Sequence, residues 1–168
     1  VGSEMCIRDR KKKGYRVSLW QLPYVAENAE QIDEARKNDY IAPLTKKQDS
    51  EGSNFSALDY AGTIDFTYPK ATEWYKRLLK NLLDMGVTCI KTDFGENIHM
   101  DALYKGMKPE LLNNLYALLY QKAAYEITKD VTGDGIVWAR SAWAGCQRYP
   151  LHWGGDSCSS CLLYTSDA

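Results

Sequence analysis

The sequence predicts a parallel α/β fold, and three observations carry that reading. Short runs of β-forming side chains alternate with two long amphipathic stretches, so that strands are joined through single helices. Both long stretches open on a proline and are closed by glycine, as helices commonly are. Acidic residues fall just past strand ends, where parallel α/β folds build their sites. A closed barrel and an open doubly wound sheet both satisfy this pattern.

Residues 15–24 are predicted as the first strand, on Val17, Leu19 and Trp20, with Pro23 stopping its ladder. Residues 25–64 are polar and rich in Asp, Asn, Gly and Ser, an excursion over the mouth of the fold with one short helix at 29–37. Pro69 opens a helix in which Ala71, Trp74, Tyr75, Leu78, Leu79, Leu82 and Leu83 recur at three- and four-residue steps until Gly86. Residues 87–92 form a short buried strand. A second helix covers 109–129, with Leu112, Leu115, Leu119 and Ala123 as its inner stripe, and Gly133 and Gly135 break it. Residues 136–140 and 151–153 are the last two strands. Only residues 141–150 join them, at or below the dozen or so residues of a usual parallel crossover.

The charge is nearly balanced, 21 basic against 22 acidic residues, and nothing in it argues for a nucleic-acid or membrane partner. The Lys11-Lys12-Lys13 run is expected as a solvated helix end before Gly14. No stretch approaches the roughly 20 apolar residues of a membrane span, and the compartment, cytoplasmic or periplasmic, stays open. Cys89, Cys146 and Cys158 have no metal-type spacing and are expected as free thiols. Cys6 and Cys161 belong to ends expected to be foreign. One duplex read in opposite directions encodes both the run from Met5 to Arg10 and that from Cys161 to Thr165, as a sequencing adapter would. Residues 1–10 and 161–168 are therefore expected to be adapter-derived, leaving 11–160, shorter than the about 250 residues of a (β/α)8 barrel.

Side chains alternate along a strand, so Cys89, Lys91 and Asp93 share one face while Ile90 and Thr92 turn to the covering helices. Charge on an inner face is costly unless paired and used, and an ammonium beside a carboxylate favours its ionised, nucleophilic form. An ion pair serving structure alone is the alternative. Glu96 is expected either to orient the strand-end loop or to take part in chemistry. Arg140 ends one strand and Asp156 follows the next, so both project at the mouth beside Asp93. A guanidinium there can bind a carboxylate or sugar hydroxyls in a fork, and Gly154-Gly155 lets the chain bend to present Asp156. Trp153 offers a flat face for a pyranose ring and an apolar setting of the kind that keeps an acid catalyst protonated. Trp138 and Trp143 are expected in the core, His152 as a structural histidine and His99 in a surface loop. Two carboxylates flanked by Arg and Trp suit glycoside hydrolysis, one to attack and one to protonate the leaving oxygen.

These residues carry a resemblance. Lys91-Thr92-Asp93-Phe94-Gly95-Glu96 is similar to the nucleophile motif of family 31 glycoside hydrolases, most closely their α-xylosidase branch. Ala139 to Ala142 followed by Gln147 to Asp156 resembles that branch's acid/base block. The likeness extends to Trp20 within residues 19–24 and to residues 62–67. It implies a partial (β/α)8 barrel, about strands three to six, with the short last connection as a family feature. It further implies Asp93 as nucleophile, Asp156 as acid/base, and Trp20, Lys91, Phe94, Arg140 and Trp153 as sugar contacts. No cofactor or metal is implied. The expected partner is an oligosaccharide or small α-glycoside, and a homo-oligomer is compatible with the family. α-Glucosidases, transglycosylases and sulfosugar hydrolases share it. A reading from another class is a metal-dependent lyase or isomerase, in which Asp93, Glu96 and Asp156 hold magnesium and Lys91 is the base.

Overall fold

In the computed structural model, which describes residues 2–43 and 60–155, helix α1 (Gly2–Lys12) leads into strand β1 (Ser18–Gln21), β2 (Tyr24–Ala26), helix α2 (Ile32–Lys37), β3 (Ile41–Pro43) and β4 (Tyr60–Ile64). Helix α3 (Pro69–Asp84), β5 (Cys89–Thr92), α4 (Pro109–Thr132), β6 (Val137–Ala139) and a 3-10 turn (Cys146–Arg148) follow. The last turn of α1 carries Arg10, Lys11 and Lys12, cations that suit the negative end of a helix dipole. Residues 2–10, expected as foreign sequence, thus lie in a helix, and Ile7 is buried.

Strands β1, β5 and β6 form a parallel sheet in the order β1-β5-β6, an open wall with α3 and α4 on one side. This bears out the parallel α/β expectation. The predicted first strand, 15–24, is observed as Ser18–Gln21: Tyr15 before it is exposed, and Pro23, which lacks an amide hydrogen, cannot extend the ladder. The chain then turns into a second sheet.

The excursion corrects the sequence reading. It holds an antiparallel sheet of order β2-β4-β3, with Tyr24 opposite Thr63 and Ile41 opposite Ile64. Strands of three residues are too short to show a period, and β4 is buried on both faces from Ala61 to Ile64, which erases the alternation that would mark it. Residues 44–59 of the excursion lie outside the described residues.

Proline opens α3 and α4 as predicted, and Gly133, at φ 81°, caps α4 in the left-handed conformation. The apolar stripe of α3 buries Ala71, Trp74, Tyr75, Leu79 and Leu83, as expected, with Leu78 and Leu82 partly buried against the same core. On α4 the buried stripe is Leu112, Tyr116, Tyr120, Ala123 and Ala124, whereas Leu115 and Leu119 are only partly covered. The two tyrosines turn inward because Phe66 offers them ring contacts at 5.5 Å and carbonyls stand within reach of their hydroxyls. Tyr116 donates to Ile64 O at 2.8 Å and Tyr120 to Gln21 O at 3.1 Å. Truncating such a buried aromatic costs about 3–5 kcal/mol.

Past β6, residues 141–150 return the chain through the 3-10 turn to a fourth parallel segment. Ala139 N–H donates to Leu151 O at 2.9 Å and Trp153 N–H to Ala139 O at 3.1 Å, with one isolated bridge from Ala139 to His152. The predicted fourth strand is therefore a short ladder, and the crossover closes without an α-helix. Among the described residues no helix is long and apolar enough to cross a membrane.

Candidate active site

The parallel sheet presents one row of side chains across three strands. Trp20 pairs in register with Lys91, and Lys91 with Trp138. On the opposite face Ile90 and Thr92 are buried, as strand alternation predicts. Two residues further along each strand, Asp93 and Arg140 leave the C-terminal edge, with Asp93 N–H bonded to Gln21 O at 2.9 Å and Arg140 N–H to Thr92 O at 3.2 Å. The site is thus fastened to the sheet by main-chain bonds.

Asp93 is 7% exposed, and both of its carboxylate oxygens are engaged. Trp20 Nε1–H donates to Oδ2 at 2.6 Å, and Lys91 Nζ stands 3.8 Å from the same oxygen. Oδ1 accepts from the Phe94 amide at 3.1 Å and faces Arg140 Nε at 3.2 Å. A buried carboxylate left unmatched would be strongly unfavourable; here two cations and two N–H donors converge on it.

Arg140 is shared. Its Nε is 2.6 Å from Glu96 Oε1 and its Nη2 3.2 Å from Glu96 Oε2, a fork that a lysine could not reproduce. The guanidinium also lies 3.8 Å over the Phe94 ring. Phe94 adopts φ 58°, a strained setting for a bulky side chain. That backbone turns its ring under Arg140 and beside Trp20, at 6.4 Å edge to face. Gly95 follows at φ 90°, where an added Cβ would press on Tyr120 Cδ1 at 3.2 Å. Glu96 thus holds the Arg140 guanidinium at the strand end. The guanidinium also lies between Asp93 and Glu96, the space that the lyase reading gives to a magnesium ion. Among the described residues no group of three or more His, Cys, Asp or Glu is placed to hold a metal.

On the other flank the Lys91 ammonium lies 4.5 Å from the Trp153 ring centre and 5.0 Å from that of Trp138, and the two indoles meet edge to face at 6.3 Å. The structure thus brings together Trp20, Lys91, Asp93, Phe94, Arg140 and Trp153. Asp156 lies outside the described residues, as do Cys158 and Cys161. Gly155, at φ 81°, lies against the Arg140 side chain, 3.9 Å from the position its own Cβ would take.

Two expectations are corrected. Trp138 and Trp143 are 38% and 53% exposed, not core. Trp143 sits in the crossover loop, and Trp138 is two residues before Arg140, so strand alternation puts it on the face of Lys91; that spacing was readable in the sequence. His152 fits its structural role, with Nε2 3.0 Å from Cys146 O. His99 is half-buried, packed 6.4 Å from Tyr24, and burial lowers its pKa against the opposing charge of Asp101. Burial likewise pushes the Tyr24 and Tyr104 hydroxyls up to about 12.

Comparison with known proteins follows the same lines. The family described as glycosyl hydrolases family 31 TIM-barrel domain matches residues 3–165. An α-xylosidase of Emericella nidulans is 36% identical over 152 residues, 87% of this chain and 19% of its own length. α-Xylosidase XylQ of Lactiplantibacillus pentosus is 35% identical, over 77% of this chain and 17% of its own. A family 31 sulfoquinovosidase from E. rectale, solved with an aza-sugar inhibitor, superposes with a TM-score of 0.77 at 31% identity, over 91% of this chain and 24% of its own. The chain thus spans about a fifth of the length of the curated relatives it matches.

Proposed function

The chain belongs to family 31 of the glycosyl hydrolases, and from that premise we infer that the protein is a retaining α-glycoside hydrolase whose preferred substrate is an α-xyloside. The observation that carries the reading is Asp93, a nearly buried carboxylate at a strand end with both oxygens oriented by neighbours. Holding a nucleophile in one geometry removes orientational entropy from the attack.

In this reading an Asp93 oxygen attacks the anomeric carbon and forms a glycosyl ester as the glycosidic C–O bond breaks, while Asp156 gives its proton to the leaving oxygen. Asp156 then takes a proton from water, whose oxygen attacks the same carbon from the opposite face and frees Asp93; the two inversions sum to retention. Arg140 and Lys91 hold Asp93, and Trp20, Phe94 and Trp153 line the sugar subsite. What supports Asp156 is its place in the motif, directly after a Gly155 that lies against Arg140. The α-xyloside preference rests on the names of the two relatives at 36% and 35% identity and on the motif from Lys91 to Glu96.

In the full-length protein, Asp93→Ala should abolish turnover of aryl α-xyloside while weakening sugar binding only modestly. Asp156→Ala should still give a burst with an activated aryl leaving group, which needs little protonation. Equal losses on good and poor leaving groups would count against Asp156 as the acid. A kcat/KM that favours aryl α-glucoside or aryl α-sulfoquinovoside over α-xyloside would move the substrate assignment and leave the mechanism standing.

A further inference from the structure

Trp138 has no role in the chemistry derived above, yet it is placed by β6 directly beside Lys91. Lys91 Nζ lies 5.0 Å from the Trp138 ring centre, 4.5 Å from that of Trp153 and 3.8 Å from Asp93 Oδ2. The register of the sheet makes this arrangement specific: Trp20, Lys91 and Trp138 are one row, and the two indoles are braced edge to face at 6.3 Å. A lysine stem is long and flexible, with four carbons between backbone and charge. An ammonium is attracted to the negative face of an indole and keeps that attraction where water is partly displaced. Trp138 and Trp153 therefore form an aromatic clamp on the ammonium, and Asp93 takes the remaining direction.

We propose that Trp138 is a positioning residue, whose ring holds the Lys91 ammonium against Asp93. The inference rests on the reading of Asp93 as nucleophile. Trp138 contacts no reacting atom; it acts through Lys91. A cation–π contact of the usual strength corresponds to about a two- to thirty-fold effect.

The test is a double-mutant cycle in the full-length protein, read as kcat/KM on aryl α-xyloside and aryl α-glucoside. Trp138→Leu should lower kcat/KM by about two- to thirty-fold, chiefly through kcat, and Trp138→Phe, which keeps an aromatic face, should recover most of the loss. In a Lys91→Met background, Trp138→Leu should change the rate by less than about two-fold, because the group it positions is gone. Equal losses with and without Lys91 would overturn the proposal, since a merely structural tryptophan gives that additivity. So would Trp138→Phe behaving like Trp138→Leu. A crystal structure of the Trp138→Leu or Trp138→Phe protein gives a readout independent of turnover. The ammonium should leave Asp93 in the leucine variant and stay in the phenylalanine one; an unmoved ammonium in the leucine variant refutes the role. Full activity of Asp93→Ala would sink the nucleophile reading itself and is scored separately.

Discussion

Replacing Arg140 with Met keeps the aliphatic stem of the side chain and removes the guanidinium that Asp93 and Glu96 share. In the native site Arg140 Nε is 3.2 Å from Asp93 Oδ1 and 2.6 Å from Glu96 Oε1. The side chains of Arg140 and Asp93 are 18% and 9% exposed, that of Glu96 39%. Breaking a fully buried pair costs about 3–5 kcal/mol, because the surviving charge is stranded. An exposed pair is worth about 0.2–1 kcal/mol. Glu96 can turn to water, so its share belongs with the exposed class. Asp93 retains Trp20 and Lys91, which places the total between the two classes, at about 2 kcal/mol. For a domain of 150–250 residues this lowers Tm by about 4–8 °C. The assay is differential scanning calorimetry of the barrel transition for Arg140→Met, Asp93→Asn and the double variant. If the loss comes from a stranded carboxylate, Asp93→Asn should restore half or more of it in the Arg140→Met background. A shift under about 1 °C for Arg140→Met, or strictly additive shifts in the double variant, would refute the reasoning and reduce Arg140 to a surface ligand of Glu96.

Two further outcomes follow from geometry away from the carboxylate. Gly62→Ala would put a Cβ 2.5 Å from Ala42 O, a main-chain atom of the paired strand, so β3 and β4 must separate; a loss of about 1–3 kcal/mol is expected by calorimetry, and an unchanged Tm would show that the pairing gives way freely. His99 has its pKa lowered by burial, so its contribution to stability is full above its unfolded value of about 6.5 and is lost as pH falls through the depressed folded value. His99→Gln should therefore flatten the Tm profile between pH 7.5 and pH 5; an identical slope in both proteins would count against the burial of that ring.

The helices and the parallel sheet were legible because each announces itself locally. Proline at the start of α3 and α4 and a left-handed glycine after α4 are written in the sequence, and the stripe from Ala71 to Leu83 needs no partner to be seen. The antiparallel sheet was hidden for a physical reason. Its strands run three to five residues, and β4 is buried on both faces, so neither length nor alternation marks it. On α4 the period was clear but its phase was not. Leucine looked like the inner residue, yet Tyr116 and Tyr120 go inside because carbonyls at the ends of β4 and β1 accept their hydroxyls, and those acceptors come from distant sequence.

The candidate site was legible to the extent that strand alternation reaches. Counting by two along β5 puts Lys91 with Asp93, and the same count along β6 puts Trp138 with Arg140; both pairs share the face seen in the sheet. What the count cannot supply is which partner each charge selects. The donor from Trp20 to Asp93 crosses 73 positions of sequence and the fork from Arg140 to Glu96 crosses 44; both exist only because β1, β5 and β6 are neighbours. The same adjacency explains why the tryptophans at this face are exposed rather than core. A row of Trp20, Lys91 and Trp138 cannot be packed apolar on all sides with an ammonium in its middle, because the charge must be met by a carboxylate, an aromatic face or water. Here the first two are supplied by the chain, and the indoles stay on the open side of the sheet.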